Sequence, residues 1–165
     1  MDLQFKNFTI ENFEQFSGGS KETISSYLLL LNDSINNADS VYVFRTHNHL
    51  MSDNSTVLWC KENLISEYDI INIEFSKFNR INEIKSTDNS KIVKVDLNIN
   101  NNRNEFKKNL RISIRDFKNE LASELTSFEM LIDDPLYDQY DYLFEKDGKI
   151  ISWTDIHELL IFIMK

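Results

Sequence analysis

Apolar residues recur at helical spacing in the first third of the chain. Ile24, Tyr27, Leu28, Leu31 and Ile35 follow one another at spacings of 3, 1, 3 and 4, which is typical of one face of an amphipathic helix. Ser20 follows two glycines and is the predicted N-cap of this helix. A second, shorter helix is predicted over Val57–Ile65.

Other segments alternate between apolar and polar residues, which is the period of a strand. The β-forming run Val41–Phe44 predicts a short buried strand. Alternation also predicts strands over 3–10, with a bulge near Asn7, and over 71–75 and 92–99. The chain therefore mixes helices and strands without regular βαβ alternation.

The longest periodic stripe runs from Phe106 to Ile132, with apolar residues every three or four positions. This stripe predicts one helix of roughly seven turns. Residues 109–115 also alternate as a strand does, so a strand followed by a shorter helix from Arg115 is the alternative. In either case Pro135 ends the helix, because the residue before a proline avoids the helical conformation.

The C-terminal region predicts a hairpin and then a helix. Two strand-like runs, Tyr140–Glu145 and Lys149–Trp153, flank the dipeptide Asp147-Gly148, which is a strong hairpin-turn signal. Helical spacing of apolar residues then predicts a last helix over Asp155–Met164.

Together these elements predict an α+β fold in a single globular domain over residues 1–165. We expect a small, mostly antiparallel sheet with a C-terminal hairpin, packed by about three to four helices that include one long helix. Only three glycines and one proline interrupt the chain, so most of it should be regular structure.

Composition narrows the function classes. The chain has 165 residues, is 41% hydrophobic and carries a net charge of −9, as expected for a folded acidic protein. Phosphates attract clustered Lys and Arg, so this charge argues against nucleic acid and against an anionic membrane as partners. Neither a secretory signal nor a membrane span is predicted, and Cys60 is the single cysteine. A cytoplasmic protein is expected.

Candidate catalytic chemistry is sparse. The sequence has no nucleophile elbow, phosphate-binding loop or dinucleotide fingerprint. Cys60 lies among apolar residues, which predicts an inert thiol. His47, His49 and Asp53 could share a metal in a small hydrolase, although a further ligand is not evident. We expect no enzyme activity and no cofactor, and keep this metal-dependent hydrolase as an alternative.

Negative charge is concentrated between Glu129 and Asp147. This segment holds seven acids and one base, a net of six of the nine negative charges, and tyrosines are interleaved with the acids. Carboxylates attract a basic protein, and tyrosines supply stiff contact area at low entropy cost. The predicted partner-binding residues are Asp133, Asp134, Tyr137, Asp138, Tyr140, Asp141, Tyr142 and Glu145. The alternative is a hairpin whose acidic face is simply solvated.

A basic stripe precedes this acidic segment. Its members recur every three or four residues, so on one helix they would share a face: Arg103, Lys107, Arg111, Arg115 and Lys118. Such a stripe could follow a phosphate backbone. It could equally be solvated, or neutralised by the acidic residues that follow it.

A small acidic protein without catalytic motifs, carrying the carboxylates and tyrosines of residues 133–147, resembles the bacterial toxin-immunity proteins. These include nuclease inhibitors and the immunity partners of contact-dependent-inhibition systems. The resemblance implies a tight inhibitor of a basic toxin domain, commonly a nuclease. It implies no particular fold, since immunity families have many.

Two other expectations accompany this one. A phage or plasmid protein that mimics nucleic acid would also be acidic, but it would carry carboxylates at phosphate-like spacing along its length.

The apolar run Leu159–Met164 is explained by burial in the core or by a homodimer seam.

Overall fold

The computed structural model describes residues 1–20, 22–47, 55–75, 80–86, 90–113, 131–133, 139–156 and 158–165. In these ranges strands outnumber helices, and they form a large sheet, a small sheet and one isolated parallel pair. The strands are β1 (Asp2–Phe8), β2 (Phe13–Ser17), β3 (Ser40–His47), β4 (Leu64–Tyr68), β5 (Ile70–Phe75), β6 (Arg80–Ile84), β7 (Ile92–Asp96), β8 (Arg111–Ser113), β9 (Leu131–Asp133), β10 (Gln139–Lys146), β11 (Lys149–Asp155) and β12 (Leu160–Met164). The α-helices are α1 (Ile24–Asn37), α2 (Ser55–Glu62) and α3 (Asn102–Asn109), and a 3-10 turn spans Ile10–Asn12.

The large sheet has seven strands in the order β2-β12-β11-β10-β3-β7-β4, and all neighbours run antiparallel. The predicted hairpin is confirmed as β10 and β11. Its turn residues Asp147 and Gly148 have φ angles of 52° and 77°. Two successive residues in the left-handed region are what a tight hairpin turn requires, and Asp-Gly tolerates them.

The three helices cover one face of the large sheet. The periodic positions that predicted α1 are the ones it buries, among them Ile24, Leu28 and Leu31 at 0% exposure. They pack in one cluster with Val41 and Phe144 of the sheet. Each such aliphatic side chain contributes about 1.5–3 kcal/mol through burial, so α1 is held by its apolar face more than by its caps. Thr23, rather than the predicted Ser20, is its N-cap residue.

A three-stranded sheet, in the order β1-β5-β6, covers part of the other face. Strand β1 runs parallel to β5, and β6 antiparallel to it. The register between β1 and β5 shifts between Phe5 and Phe8, which confirms the predicted bulge near Asn7. Ile71 and Ile73 of the small sheet pack in one cluster with Leu143 of the large sheet.

The predicted fold class needs correction. The main sheet has seven strands and is not small, and the described helices are three in number and 8–14 residues long. The single long helix over Phe106–Ile132 is wrong: α3 ends at Asn109, and residues 111–113 and 131–133 form the parallel pair β8 and β9. The strand alternative for residues 109–115 agrees with β8, while the helix from Arg115 lies outside the described residues.

The predicted C-terminal helix is also wrong. Residues 160–164 form β12, which lies between β11 and β2 in the large sheet. Apolar residues on both sides of this segment satisfy a helix pattern, but a central strand with both faces covered has the same composition. Ile161 is fully buried on the helix side, whereas Leu160, Phe162 and Ile163 are half-buried and Met164 is 43% exposed. Burial therefore accounts for part of this apolar run, and the homodimer seam stays a prediction.

Two members of the basic stripe are engaged inside the chain. Arg103 donates hydrogen bonds through one guanidinium nitrogen to the carbonyls of Ile35, Asn36 and Ala38, at the C-terminal end of α1. Lys107 donates to the side-chain oxygen of Asn36. Carbonyls at a helix C-terminus lack helical partners and carry partial negative charge, so cations stabilise them. These two residues therefore hold α3 against α1. Their contacts within the chain do not support the predicted phosphate-binding role of the stripe.

Candidate binding site

Both tyrosines of the predicted contact surface that lie in the described part of the chain are buried. Tyr140 is 5% exposed and Tyr142 is 2% exposed, because both face the helices from β10. The Tyr142 ring meets Phe106 of α3 edge-on at 5.7 Å. Arg45 of the neighbouring strand donates two hydrogen bonds to the Tyr140 hydroxyl. The expectation that these rings stand outward is therefore wrong.

Asp141 is also internal, at 6% exposure. Its carboxylate accepts hydrogen bonds from the Thr154 hydroxyl at 3.0 Å and from the Ile156 amide at 2.7 Å. The Thr154 hydroxyl in turn accepts a bond from the Tyr142 amide, so this chain of bonds joins β10 to the end of β11. Burial raises the pKa of the Asp141 carboxyl to about 6, although its hydrogen bonds oppose the rise.

Glu145 is held in a polar cluster on β10. Its carboxylate accepts hydrogen bonds from the Tyr42 hydroxyl at 2.8 Å and the Ser40 hydroxyl at 3.2 Å, and Lys94 lies 3.4 Å away. Burial and the Glu145 carboxylate raise the pKa of the Tyr42 phenol. With its side chain only 14% exposed, Glu145 is committed to the chain itself.

The side chains of the remaining predicted partner-binding residues lie outside the described part of the structure. Asp134, Tyr137 and Asp138 lie outside the described residues, and only the backbone of Asp133 is described. The same is true of the metal alternative, of which only the His47 backbone, at the end of β3, is described, whereas His49 and Asp53 lie outside. Binding of a partner through Asp133, Asp134 and Asp138 therefore stays a prediction. Binding of a metal by His47 and His49 stays one as well.

Within the described ranges, no group of three or more His, Cys, Asp or Glu side chains is placed to hold a metal ion. Cys60 is fully buried in α2, and burial raises the pKa of its thiol. A thiol with a raised pKa is a poor nucleophile, which agrees with the expected inert cysteine.

No helix in the described part of the chain is long and apolar enough to cross a membrane.

A recess of the described surface lies between the two sheets. We call it the aromatic groove, and its volume is about 1020 Å³. One part of its lining comes from three adjacent strands of the large sheet, through Leu143, Trp153 and Phe162. The remainder comes from the small sheet and the 3-10 turn: Gln4, Phe8, Ile10, Asn72, Ile73, Phe75, Asn82, Glu83 and Ile84.

Aromatic rings in and beside the groove form one continuous cluster. Trp153 stacks on Phe162 with ring centres 4.6 Å apart and planes 9° apart. Phe8 lies 5.5 Å from Trp153 and 5.4 Å from Phe75, and Phe13 completes the cluster against Trp153 at 4.6 Å. All five aromatic residues are half-buried, so each keeps part of its surface exposed. Rings held by one another form a rigid apolar surface, which binds a partner at low entropy cost.

The polar part of the lining is one carboxylate and three amides. Among the described lining residues Glu83 is the single charged side chain, and it is exposed. Gln4, Asn72 and Asn82 supply both donors and acceptors. Ile10 is 43% exposed although it is large and apolar. Among the described residues, the groove therefore combines exposed apolar surface with a negative charge, which favours an apolar ligand that carries positive charge.

Sequence reasoning missed this groove because its lining comes from six strands and one turn, spread from residue 4 to residue 162. The predicted helix over Asp155–Met164 separates Phe162 from Trp153, whereas the two residues are paired neighbours on β11 and β12. One feature of the sequence points to the groove. The first sixteen residues contain four phenylalanines, at positions 5, 8, 13 and 16, which is more than a strand at the surface of a domain requires for packing.

Comparisons of the chain with family models, with curated proteins and with solved structures find no match. The inference of function therefore depends on the chemistry of this site and on the charge of the chain.

Proposed function

We propose that this protein is a non-enzymatic inhibitor of the immunity-protein kind, which binds a basic protein domain and keeps it inactive in the cytoplasm. The aromatic groove is the docking site in this proposal, in place of the tyrosines that β10 buries. A toxin domain such as a nuclease carries Lys and Arg at its substrate site, and a bound acidic inhibitor covers them.

The observation that carries the proposal is a groove with half-buried aromatic rings, whose described lining holds a carboxylate and no base. Interfaces concentrate binding energy in a few aromatic and apolar anchors, surrounded by polar groups that exclude water. Trp153, Phe162 and Ile10 supply such anchors, and Gln4 and Asn82 supply the polar groups.

The net charge of −9 supports the same partner class. Opposite charge raises association rates to about 10⁸ M⁻¹s⁻¹ or more at low salt, against roughly 10⁵–10⁶ M⁻¹s⁻¹ for neutral pairs. Rapid capture suits an inhibitor of a toxin that acts catalytically. Apolar burial in the groove then slows dissociation.

The test compares two equally simple surface changes. Ile10→Ser removes an exposed apolar contact from the groove, and we expect it to weaken binding of the basic toxin domain about tenfold. Leu58→Ser is the matched control, because Leu58 is 52% exposed but lies on α2, in the helix layer on the opposite face of the large sheet. The partner is first sought in the adjacent reading frames as a domain of basic, toxin-like sequence, and its affinity is then measured by calorimetry at 150 mM NaCl.

Co-expression supplies the functional readout. The parent chain and Leu58→Ser should restore growth of cells that express the toxin domain, and Ile10→Ser should restore it less well. Absence of binding and of rescue by the parent chain would refute the proposed function. Equal loss of affinity in the two variants would refute the groove as its site.

A further inference from the structure

The chemistry of the groove also indicates which part of a basic partner it receives. This inference rests on the proposed function. The first consideration is size: about 1020 Å³ is at the top of the range for small-molecule sites, which is roughly 300–1,000 Å³. A single side chain would leave most of this volume to water, whereas a segment of several residues would fill it.

The second consideration is the pattern of polar groups. Gln4, Asn72 and Asn82 each present an amide, which can donate to a carbonyl and accept from an N–H. A peptide backbone offers both groups at every residue. Amides next to aromatic rings therefore suit an extended peptide better than a compact apolar ligand, which would leave these amides unsatisfied.

The third consideration is the charge of Glu83. Its carboxylate is exposed beside the rings and makes no ion pair or hydrogen bond with the described residues. Glu74 of the neighbouring strand β5, by contrast, accepts a hydrogen bond from Gln4. A lysine or arginine that entered the groove would meet both a carboxylate and ring faces, which attract cations.

We infer that the aromatic groove binds an extended segment of the partner in which apolar side chains flank a lysine or arginine, with the basic group paired to Glu83. The apolar side chains contact Trp153 and Phe162. The charge of the groove and of the whole chain selects this occupant over an acidic or neutral segment.

The test uses three capped octapeptides labelled with fluorescein, with anisotropy measured at 150 mM NaCl. The first has four apolar residues and two lysines, the second has glutamate in place of the lysines, and the third has glycine in place of the apolar residues. We expect the first peptide to bind at least about tenfold more tightly than either of the others. Equal binding of the lysine and glutamate peptides would overturn the inference, as would equal binding without the apolar residues.

Two charge variants locate the basic group. Glu83→Gln should weaken binding of the lysine peptide about threefold and leave binding of the glutamate peptide unreduced, in line with an exposed ion pair. Glu62→Gln removes the same charge from the end of α2 and should change neither. An equal effect of the two variants would mean that only net charge matters, which also overturns the inference.

Sedimentation of the protein alone tests the other occupant, a second copy of this chain. A dimer that Ile10→Ser dissociates would overturn the inference. The two proposals fail separately. If the toxin domain binds through the groove but the peptides do not, only the segment is wrong; if the lysine peptide binds and no basic domain is inhibited, only the proposed function is wrong.

Discussion

Replacing Tyr142 by alanine is expected to lower the free energy of unfolding by about 3–5 kcal/mol. The ring is 2% exposed, packs edge-on against Phe106 and lies 6.3 Å from the Phe144 ring. Its hydroxyl is hydrogen-bonded to Thr56. Truncation would leave a cavity between β10 and α3, and stabilities of domains are only about 5–15 kcal/mol in total.

Urea denaturation measures this loss, and Tyr142→Phe is the control. The phenylalanine variant keeps the ring and loses only the hydroxyl, so it should lose about 1 kcal/mol. It also keeps the experiment informative if the alanine variant does not fold. An unchanged urea midpoint for Tyr142→Ala would show that this tyrosine is outside the core, and would restore the outward-facing tyrosine surface suggested by the sequence.

Replacing Asp141 by asparagine is expected to raise the free energy of unfolding at pH 7.5 by about 1–3 kcal/mol. Burial raises the pKa of this carboxyl from 3.8 to about 6, so the folded state holds the proton more tightly than the unfolded state does. Its contribution to stability is therefore complete below about pH 4 and is lost as the pH rises through 6. Asparagine keeps an oxygen for the Thr154 and Ile156 donors and carries no charge.

The measurement is the difference between the two stability curves from pH 4 to 8. The difference should be small at pH 4 and grow until about pH 7. Subtraction is needed because Asp69, whose pKa is lowered to about 2 by Lys91 and the N-terminal ammonium, acts in the opposite direction at lower pH. A flat difference for Asp141→Asn would contradict the raised pKa.

The sequence predicted local structure where one face of an element is buried. The Ile24–Ile35 stripe, the run Val41–Phe44 and the hairpin turn at Asp147-Gly148 each follow from side-chain period or turn chemistry. The spacing of apolar residues does not predict the type of element where both faces of that element are covered. Residues 160–164 carry apolar side chains toward the helices and toward the small sheet. Such a segment has no polar face, so the spacing of its polar and apolar residues does not separate a strand from a helix.

The site was less predictable than the fold. Acids and tyrosines at Tyr140, Asp141, Tyr142 and Glu145 suggested an exposed surface, because buried carboxylates are uncommon. Their burial depends on partners far away in sequence: Arg45 for Tyr140, and Tyr42, Ser40 and Lys94 for Glu145. A linear pattern does not contain such pairings. The aromatic groove is hidden for the same reason, since strand order alone brings Phe8, Phe75 and Trp153 together.

The central claim is that the aromatic groove is the docking site for a basic partner, and the two tryptophans provide its most direct test. Trp153 lines the groove, whereas Trp59 packs against Phe106 in the helix layer. Nuclear magnetic resonance of the ¹⁵N-labelled chain follows both indole N–H signals during titration with the basic toxin domain. We predict that the Trp153 signal shifts or broadens while the Trp59 signal stays in place. A shift of Trp59 with an unchanged Trp153, or amide shifts confined to residues 133–138, would contradict the groove as the docking site.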